Sequence, residues 1–424
     1  MIERLPKRIY HQFPALKYKN YRLYFFGQLI SFSGSWLQGI AFGWLVYQLT
    51  QSAFWLGAVS AISAFPVLAL SLYGGFLVDN FDRKKLLFIT QSAALICAFI
   101  LGLLTITKLI TLPILLVLTL LSGIANAIDN PVTQAFVVDV VGKDDLPSAV
   151  GLNSTIFNAG RVLGPAAGGF LIALVGIGNI FLINAASFLA ILISLYFIKV
   201  NCPRLPKSKV KSVTAIKQGL VYSYSHPVIS MLLLTAGIGS IFCFSQATIM
   251  PMLAARIFQQ GSSGLGSLLS SMGLGALLAS VFISSQSKRI SSIWIIISGN
   301  VLFILSMLTF SFVSDLRLAM ICLFIAGLGL TLQFSTVYST IQRLVAEEYR
   351  GRVSSLYVML FVGFSPLGNL FIGTTAGWYG PMSAIRISSL ATLLYGVFIL
   401  LNLPRVKKKY LNYNRIINPA YSTS

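Results

Sequence analysis

Runs of about twenty apolar residues recur along the whole chain and limit its possible folds more than any other feature. Two such runs begin at Leu86 and Ile180. A helix needs about 20 apolar residues to cross the hydrocarbon layer of a bilayer. Only 10% of the 424 residues are charged and 56% are hydrophobic, whereas a soluble domain carries about 25% charged residues. The sequence therefore predicts an all-α polytopic membrane protein.

Polar breaks divide the apolar sequence into twelve predicted transmembrane helices. Their approximate bounds are 21–49, 54–78, 86–107, 112–138, 147–175, 179–199, 228–256, 264–286, 291–313, 317–340, 353–379 and 382–403. The spacing predicts a six-helix bundle over 21–199 and a second one over 228–403. We expect residues 1–20 and 404–424 to form cytoplasmic terminal segments, and residues 200–227 to form a cytoplasmic linker between the bundles.

The basic residues set the orientation of these helices. Both termini and the loops after the second, fourth, sixth, eighth and tenth segments hold 26 of the 31 Lys and Arg residues. Basic residues near helix ends mark the cytoplasmic side, so both termini are predicted to lie inside the cell. The net charge of +21 is spread over alternate loops, while a nucleic-acid-binding domain needs a continuous basic patch. We therefore expect no nucleic-acid partner.

The predicted linker contains an amphipathic segment. Val213, Ile216, Leu220 and Tyr224 recur at spacings of three and four, which places them on one face of a helix. Basic residues nearby favour a short helix that lies on the inner membrane surface. A binding site for a soluble partner is the alternative interpretation.

The two halves of the chain resemble each other at a period near 200 residues. Pro165 in the fifth segment corresponds to Pro366 in the eleventh, and Arg83 and Lys84 correspond to Lys288 and Arg289. Repeated six-helix halves are typical of secondary transporters, whose substrate site lies between the halves near the middle of the membrane.

The loop after the second segment reads GGFLVDNFDRKK, from Gly74 to Lys85. It resembles the signature loop of the major facilitator superfamily, which has glycine, three residues, aspartate, a basic residue, any residue, glycine and two basic residues. Four positions match this pattern, namely Gly75, Asp79, Arg83 and Lys84. Together with Asp139, at the end of the fourth segment, they are assigned to a gating loop. Asn80 and Asp82 depart from the pattern. The resemblance implies that Asp79 latches the two halves in an outward-open state.

The fifth segment contains GRVLGPAAGG, which resembles the antiporter motif of exporters in this superfamily. The glycine spacing leaves one stripe of the helix without side chains, so a neighbouring helix can approach closely. The motif residues are Gly160, Gly164, Pro165, Gly168 and Gly169. Longer strings, from about 21 to 404, resemble the branch that includes the enterobactin exporter and macrolide efflux pumps. This resemblance implies export of a drug or a siderophore and leaves both open.

Asp129 is the one acidic residue that the sequence places at membrane depth. It lies ten residues before Asp139, hence roughly 15 Å from the inner surface, and Arg161 lies about 21 Å deep by the same arithmetic. A charge at such a depth usually faces a partner or a cavity. We expect Asp129 and Arg161 to pair. The pair either holds the bundle together or opens when Asp129 takes up a proton during transport.

Polar residues on several predicted helices suggest a substrate cavity. In the first segment Gln28, Ser31 and Gln38 recur at helical spacings, and further candidates follow on other segments: Asn126, Asn158, Gln246, Gln333 and Asn369. Neutral amides and hydroxyls with aromatic neighbours favour an amphipathic substrate that is neutral or carries some negative charge towards Arg161. The set lacks the clustered carboxylates, histidines or thiolates that hold a metal, so neither a metal nor another cofactor is expected.

These patterns predict a secondary exporter in a bacterial inner membrane that works by alternating access with protons as the coupling ion. We expect a small-molecule substrate, a lipid bilayer as its surroundings and a monomer. No phosphate-cradling Gly-Lys-Ser/Thr loop and no catalytic constellation occurs in the sequence, so an ATPase or another enzyme is not predicted. The alternatives are a facilitator or importer of a metabolite and, in another class, a non-transporting membrane receptor or scaffold.

Overall fold

A computed structural model describes residues 12–142, 144–200, 212–286 and 291–417 of the chain. Within these ranges the regular structure is entirely helical, and no strand is formed. The fold is therefore all-α, as the sequence predicts.

Fifteen α-helices follow one another in the described ranges. They are α1 (Lys19–Thr50), α2 (Ala53–Asn80), α3 (Arg83–Ile106), α4 (Leu112–Val141), α5 (Leu146–Val175), α6 (Ile177–Phe197), α7 (Ser212–Ser225), α8 (Pro227–Phe242), α9 (Met250–Arg256), α10 (Gly261–Gln286), α11 (Ser292–Phe310), α12 (Leu316–Leu344), α13 (Glu347–Gly363), α14 (Ser365–Tyr379) and α15 (Pro381–Ile417). Short 3-10 helices at Pro14–Lys17 and Phe244–Ile249 precede α1 and α9.

Local sequence explains where these helices begin and end. The Asp82 carboxylate accepts the Lys85 backbone N–H at 3.0 Å and caps the start of α3, and Asp315 caps α12 through the Leu318 backbone N–H. Such caps satisfy donors that the first turn of a helix leaves unpaired. Gly142 and Gly176, with φ of +74° and +80°, follow the ends of α4 and α5, where this backbone conformation favours glycine.

Two predicted segments are interrupted in the structure. The predicted segment 228–256 consists of α8, a 3-10 helix and α9, and the segment 353–379 is divided between α13 and α14 around Phe364. Pro366 lies in the first turn of α14, and a proline has no backbone N–H with which to continue the preceding helix. The twelfth segment, predicted to end at 403, continues as α15 to Ile417.

Length and composition make these helices suitable for a bilayer. Among the described residues, eleven helical segments are long and apolar enough to cross a membrane. The remaining predicted span, 147–175, coincides with α5, where several side chains lie outside the described residues. Large apolar side chains such as Ile89, Val117 and Leu305 are exposed, which suits contact with lipid. The chain is a multi-pass membrane protein.

The chain divides into two compact units. The first extends to Lys207 and also includes Pro251–Ser270, whereas the second contains Ser208–Met250 and Ser271–Ser424.

In the first unit, α1 packs against α5 and α6, while α3 packs against α4 and α6. An apolar core at one end of these helices includes the fully buried rings of Tyr21, Tyr24 and Phe136. The Tyr21 hydroxyl donates to the Ala149 carbonyl at 2.9 Å. This contact ties α1 to α5 and fixes the end of the bundle beneath the site described below.

In the second unit, α11 packs along α12, and α8 contacts α13, α14 and α15. The short helix α7 packs against α13, with Gly219 next to Arg352. On α7, Leu220 and Tyr224 are exposed, so these two members of the predicted apolar face are available to a membrane surface. Beyond their helical backbone, Val213 and Ile216 lie outside the described residues.

Candidate functional site

The first unit contains a partly open cavity of about 310 Å³ between α1, α3, α4 and α6, with Ser63 of α2 also in its wall. Four predicted substrate residues line it together with Asp129: Gln28, Ser31, Gln38 and Asn126. Phe32, Phe42 and Phe188 provide aromatic surface in the same cavity. Its wall thus combines amides, hydroxyls and rings, which suits a ligand with both polar and apolar parts.

Asp129 is held in this cavity by neutral hydrogen-bond donors. Its Oδ1 atom accepts from the Thr90 hydroxyl at 2.6 Å and from the Gln91 amide at 3.0 Å, both on α3. Its Oδ2 atom accepts from the Thr133 hydroxyl at 3.4 Å, one turn further along α4. The second oxygen is therefore the less firmly engaged one. Three neutral donors fix the carboxylate without supplying a compensating positive charge.

The predicted partner of Asp129 is Arg161. Beyond its helical backbone in α5, Arg161 lies outside the described residues, as do Asn158 and Pro165. The pairing of Asp129 with Arg161 stays a prediction.

A buried amide on α6 orients Gln38 on the opposite wall. The Asn184 amide donates to Gln38 Oε1 at 2.7 Å, and Asn184 Oδ1 accepts from the Ser187 hydroxyl at 2.9 Å. Asn184 is only 1% exposed. The NH₂ donor of Gln38 and the second lone pair of its oxygen remain for a ligand. Gly34 provides the space for this network, because a methyl group there would collide with Ser187 and Asn184.

Sequence reasoning missed several polar residues of this site, among them Thr90, Gln91 and Asn184, which bond to Asp129 or to Gln38. Each is a polar residue inside a strongly apolar segment. The adjacent pair Thr90 and Gln91 was the available signal, since two polar residues in succession are uncommon in an apolar span.

The three candidate amides in the second half of the chain lie outside this cavity. Gln246, Gln333 and Asn369 are buried within the second unit, at 2%, 3% and 9% exposure. Asn369 accepts from the Thr248 hydroxyl at 2.9 Å, and Gln333 accepts from the Asn300 amide at 3.3 Å. Gln333 lines a separate small pocket of the second unit, and none of the three lines the cavity of the first unit. Their role in binding a substrate stays a prediction.

The predicted gating loop is described in part. Arg83 forms an ion pair with Asp139 at 2.6 Å, and the two side chains are only 5% and 8% exposed. Lys84 donates to the Ile198 carbonyl at 2.7 Å, beyond the end of α6, where a cation is favourable next to unpaired carbonyls. Beyond their helical backbone, Gly75 and Asp79 lie outside the described residues. The described part of the loop thus joins α3 to α4 and α6.

The glycine stripe of α5 faces α1. A methyl group at Gly160 or Gly164 would collide with Trp36, and one at Gly168 would press on Ile40. Gly169 lies next to Gly266 at the start of α10. The stripe therefore allows α5 to pack closely on the helix that carries Gln28, Ser31 and Gln38.

A comparison with known families matches residues 11–421 to the transmembrane secretion effectors. The chain is 26% identical to the Staphyloferrin A transporter of Staphylococcus aureus, over 88% of this chain and 93% of that protein. It is 24% identical to the multidrug efflux pump Tap of Mycolicibacterium fortuitum, over 91% and 96% of the two chains. It is 21% identical to the enterobactin exporter EntS of Salmonella typhimurium, over 92% and 93%.

Solved structures share the fold. A bacterial homologue of the human lysosomal transporter Spinster has a TM-score of 0.69 at 16% identity, with 93% of this chain and 97% of that chain covered. The peptide transporter POT has a TM-score of 0.72 at 14% identity, with 92% and 96% covered.

The helical fold and its polar cavity define a multi-pass membrane transporter of the major facilitator type, which is not an enzyme. Within that class, the chain belongs to the family of transmembrane secretion effectors.

Proposed function

We propose that this protein is a secondary exporter of small amphipathic molecules of the drug or siderophore type. The observation that carries the proposal is the cavity of about 310 Å³ in the first unit, with three phenylalanines and several amides around a single carboxylate, Asp129. Relatives named for Staphyloferrin A, multidrug and enterobactin transport support this substrate class.

Proton antiport by alternating access is part of the proposal. Among the described residues that line the cavity, Asp129 is the one acid, and a membrane-embedded carboxylate is the usual carrier of a proton in such transporters. Thr90, Gln91 and Thr133 hold it in place for either protonation state, because each hydroxyl or amide also offers an oxygen that accepts a hydrogen bond. In the proposed cycle, Asp129 takes up a proton in one orientation and releases it in the other.

The direction of transport is testable with everted and right-side-out membrane vesicles that contain the protein. A panel of macrolides, dyes and siderophores is added under an imposed proton gradient. We expect at least one compound to accumulate in everted vesicles, whose outer surface is the cytoplasmic face, and not in right-side-out vesicles. The opposite pattern would indicate an importer and would contradict the proposal.

A further inference from the structure

A buried oxygen atom without a hydrogen-bond partner lies beside the Asp129 carboxylate. Gln91 donates its amide N–H to Asp129, which leaves Gln91 Oε1 buried and unpartnered, and the side chain is 7% exposed. A buried polar atom without a partner is costly, so such an atom often marks the place of a missing ligand.

Two oxygen atoms at this point retain the capacity to accept. Asp129 Oδ2 has only the 3.4 Å contact with Thr133, and Gln91 Oε1 accepts nothing. None of the residues that line the cavity in the described part of the chain is basic. Two helices, α3 and α4, thus bring an amide oxygen and a carboxylate to the wall of one cavity. Hard oxygen ligands with one negative charge suit a small cation.

We infer that Asp129 and Gln91 form a binding subsite for a small monovalent cation in the wall of the cavity. Two sources share this chemistry, namely Na⁺ and the primary ammonium group of a substrate. The inference rests on the proposed function in that it takes the cavity to be the transport site. Cation binding is measured at equilibrium without transport, so the two proposals can fail separately.

The test is thermal unfolding of the purified full-length protein in detergent at mildly alkaline pH and constant ionic strength. Choline chloride is replaced stepwise by sodium chloride or by methylammonium chloride. Choline lacks N–H donors and is larger, so it controls for ionic strength and for the anion. We expect the melting temperature of the wild type to rise with Na⁺, with methylammonium or with both, and to saturate as a binding site does.

Substitutions test which residues form the cation subsite. We expect Gln91→Leu and Asp129→Asn to lose the cation-dependent shift and Thr119→Val, which alters another residue of the cavity lining, to retain it. Gln91→Glu places a second carboxylate at the same point and should strengthen the shift, which keeps the test informative if Gln91→Leu folds poorly. A response to Na⁺ alone would identify an inorganic ion, and a response to methylammonium alone a substrate amine.

The inference is overturned if neither cation shifts the melting temperature of the wild type. It is also overturned if Gln91→Leu and Asp129→Asn both respond as fully as the wild type does.

Discussion

At the scale of single residues, the described part of the chain has two ion pairs, and both lie outside the cavity. Arg83 and Asp139 are almost fully buried, whereas Lys17 is half-exposed beside Asp145. A buried pair leaves an uncompensated charge when one partner is removed, while an exposed pair contributes little to stability. These contacts hold the ends of helices in place, whereas the partners of Asp129 among the described residues are neutral.

Removing the Asp139 carboxylate should destabilise the protein strongly. We expect Asp139→Ala to lower the free energy of unfolding by about 3 kcal/mol, because Arg83 loses a buried counter-charge. Asp315→Ala, which removes an exposed helix cap, should cost only about 1 kcal/mol. Thermal unfolding in detergent compares the two variants. Adding Arg83→Gln to Asp139→Ala should recover part of the stability that Asp139→Ala loses. If Asp139→Ala and Asp315→Ala lose equal stability, the buried pair is contradicted.

The contact at Asp145 should depend on pH. Lys17 and Tyr18 both bond to the Asp145 carboxylate and hold the pKa of Asp145 below its ordinary value. A lowered pKa in the folded state means that the stabilisation is present above the ordinary value and is lost as pH falls through the lowered one. We expect hydrogen exchange of Ala15–Lys17, corrected for its intrinsic pH dependence, to increase under strong acid. Asp145→Asn should increase it already at neutral pH, and an unchanged rate in this variant would exclude the contact.

At the scale of helices, the packing of α5 on α1 is the feature that the proposed site depends on most. The glycine stripe brings Trp36 against Gly160 and Gly164, and Trp36 belongs to the same helix as the cavity residues Ser31 and Gln38. Any change that separates these helices therefore displaces the polar wall of the cavity as well.

Two glycines of α5 should respond in opposite directions to the same substitution. Gly164→Ala should destabilise the protein by about 1–3 kcal/mol, because the added methyl group overlaps Trp36. Gly151→Ala meets nothing within 4 Å and should stabilise the helix by up to about 1 kcal/mol through helix propensity. Melting temperatures in detergent measure both effects. If Gly164→Ala is as stable as Gly151→Ala, α5 does not pack against Trp36 as described.

The helices were largely predictable from sequence, because apolar length alone identifies a membrane span. The breaks within predicted segments 228–256 and 353–379 were not predictable in this way, because both lie in continuous apolar sequence. Only Pro251 and Pro366 marked their positions. The start of α13 at Glu347 was also missed, because charged residues there suggest a loop. Acidic residues are favourable in the first turn of a helix, and α13 begins with two.

The cavity was predictable only where polar residues repeat along one helix, as at Gln28, Ser31 and Gln38. Thr90, Gln91 and Asn184 act through neighbours on other helices, at distances that the sequence does not contain. The same limit applies to Gln246, Gln333 and Asn369, whose partners lie within the second unit.

At the scale of the whole molecule, charge in the loops predicts the orientation on which export depends. Lys108 belongs to a predicted outer loop and Asp144 to a predicted inner loop. We expect Lys108→Cys, in a chain whose four native cysteines are replaced, to react with an impermeant thiol reagent added to intact cells. Asp144→Cys should react only after the membrane is opened. The reverse pattern would invert the topology and the proposed direction of transport.

The most direct measurement of the proposed function is proton movement triggered by substrate in proteoliposomes with an imposed pH gradient and an internal pH dye. Substrates identified with the vesicles are added one at a time to wild type, Asp129→Asn and the control Asp315→Asn, which removes a carboxylate outside the cavity. We predict substrate-triggered proton flux in wild type and Asp315→Asn and none in Asp129→Asn. Undiminished flux in folded, inserted Asp129→Asn would contradict proton coupling through the cavity carboxylate.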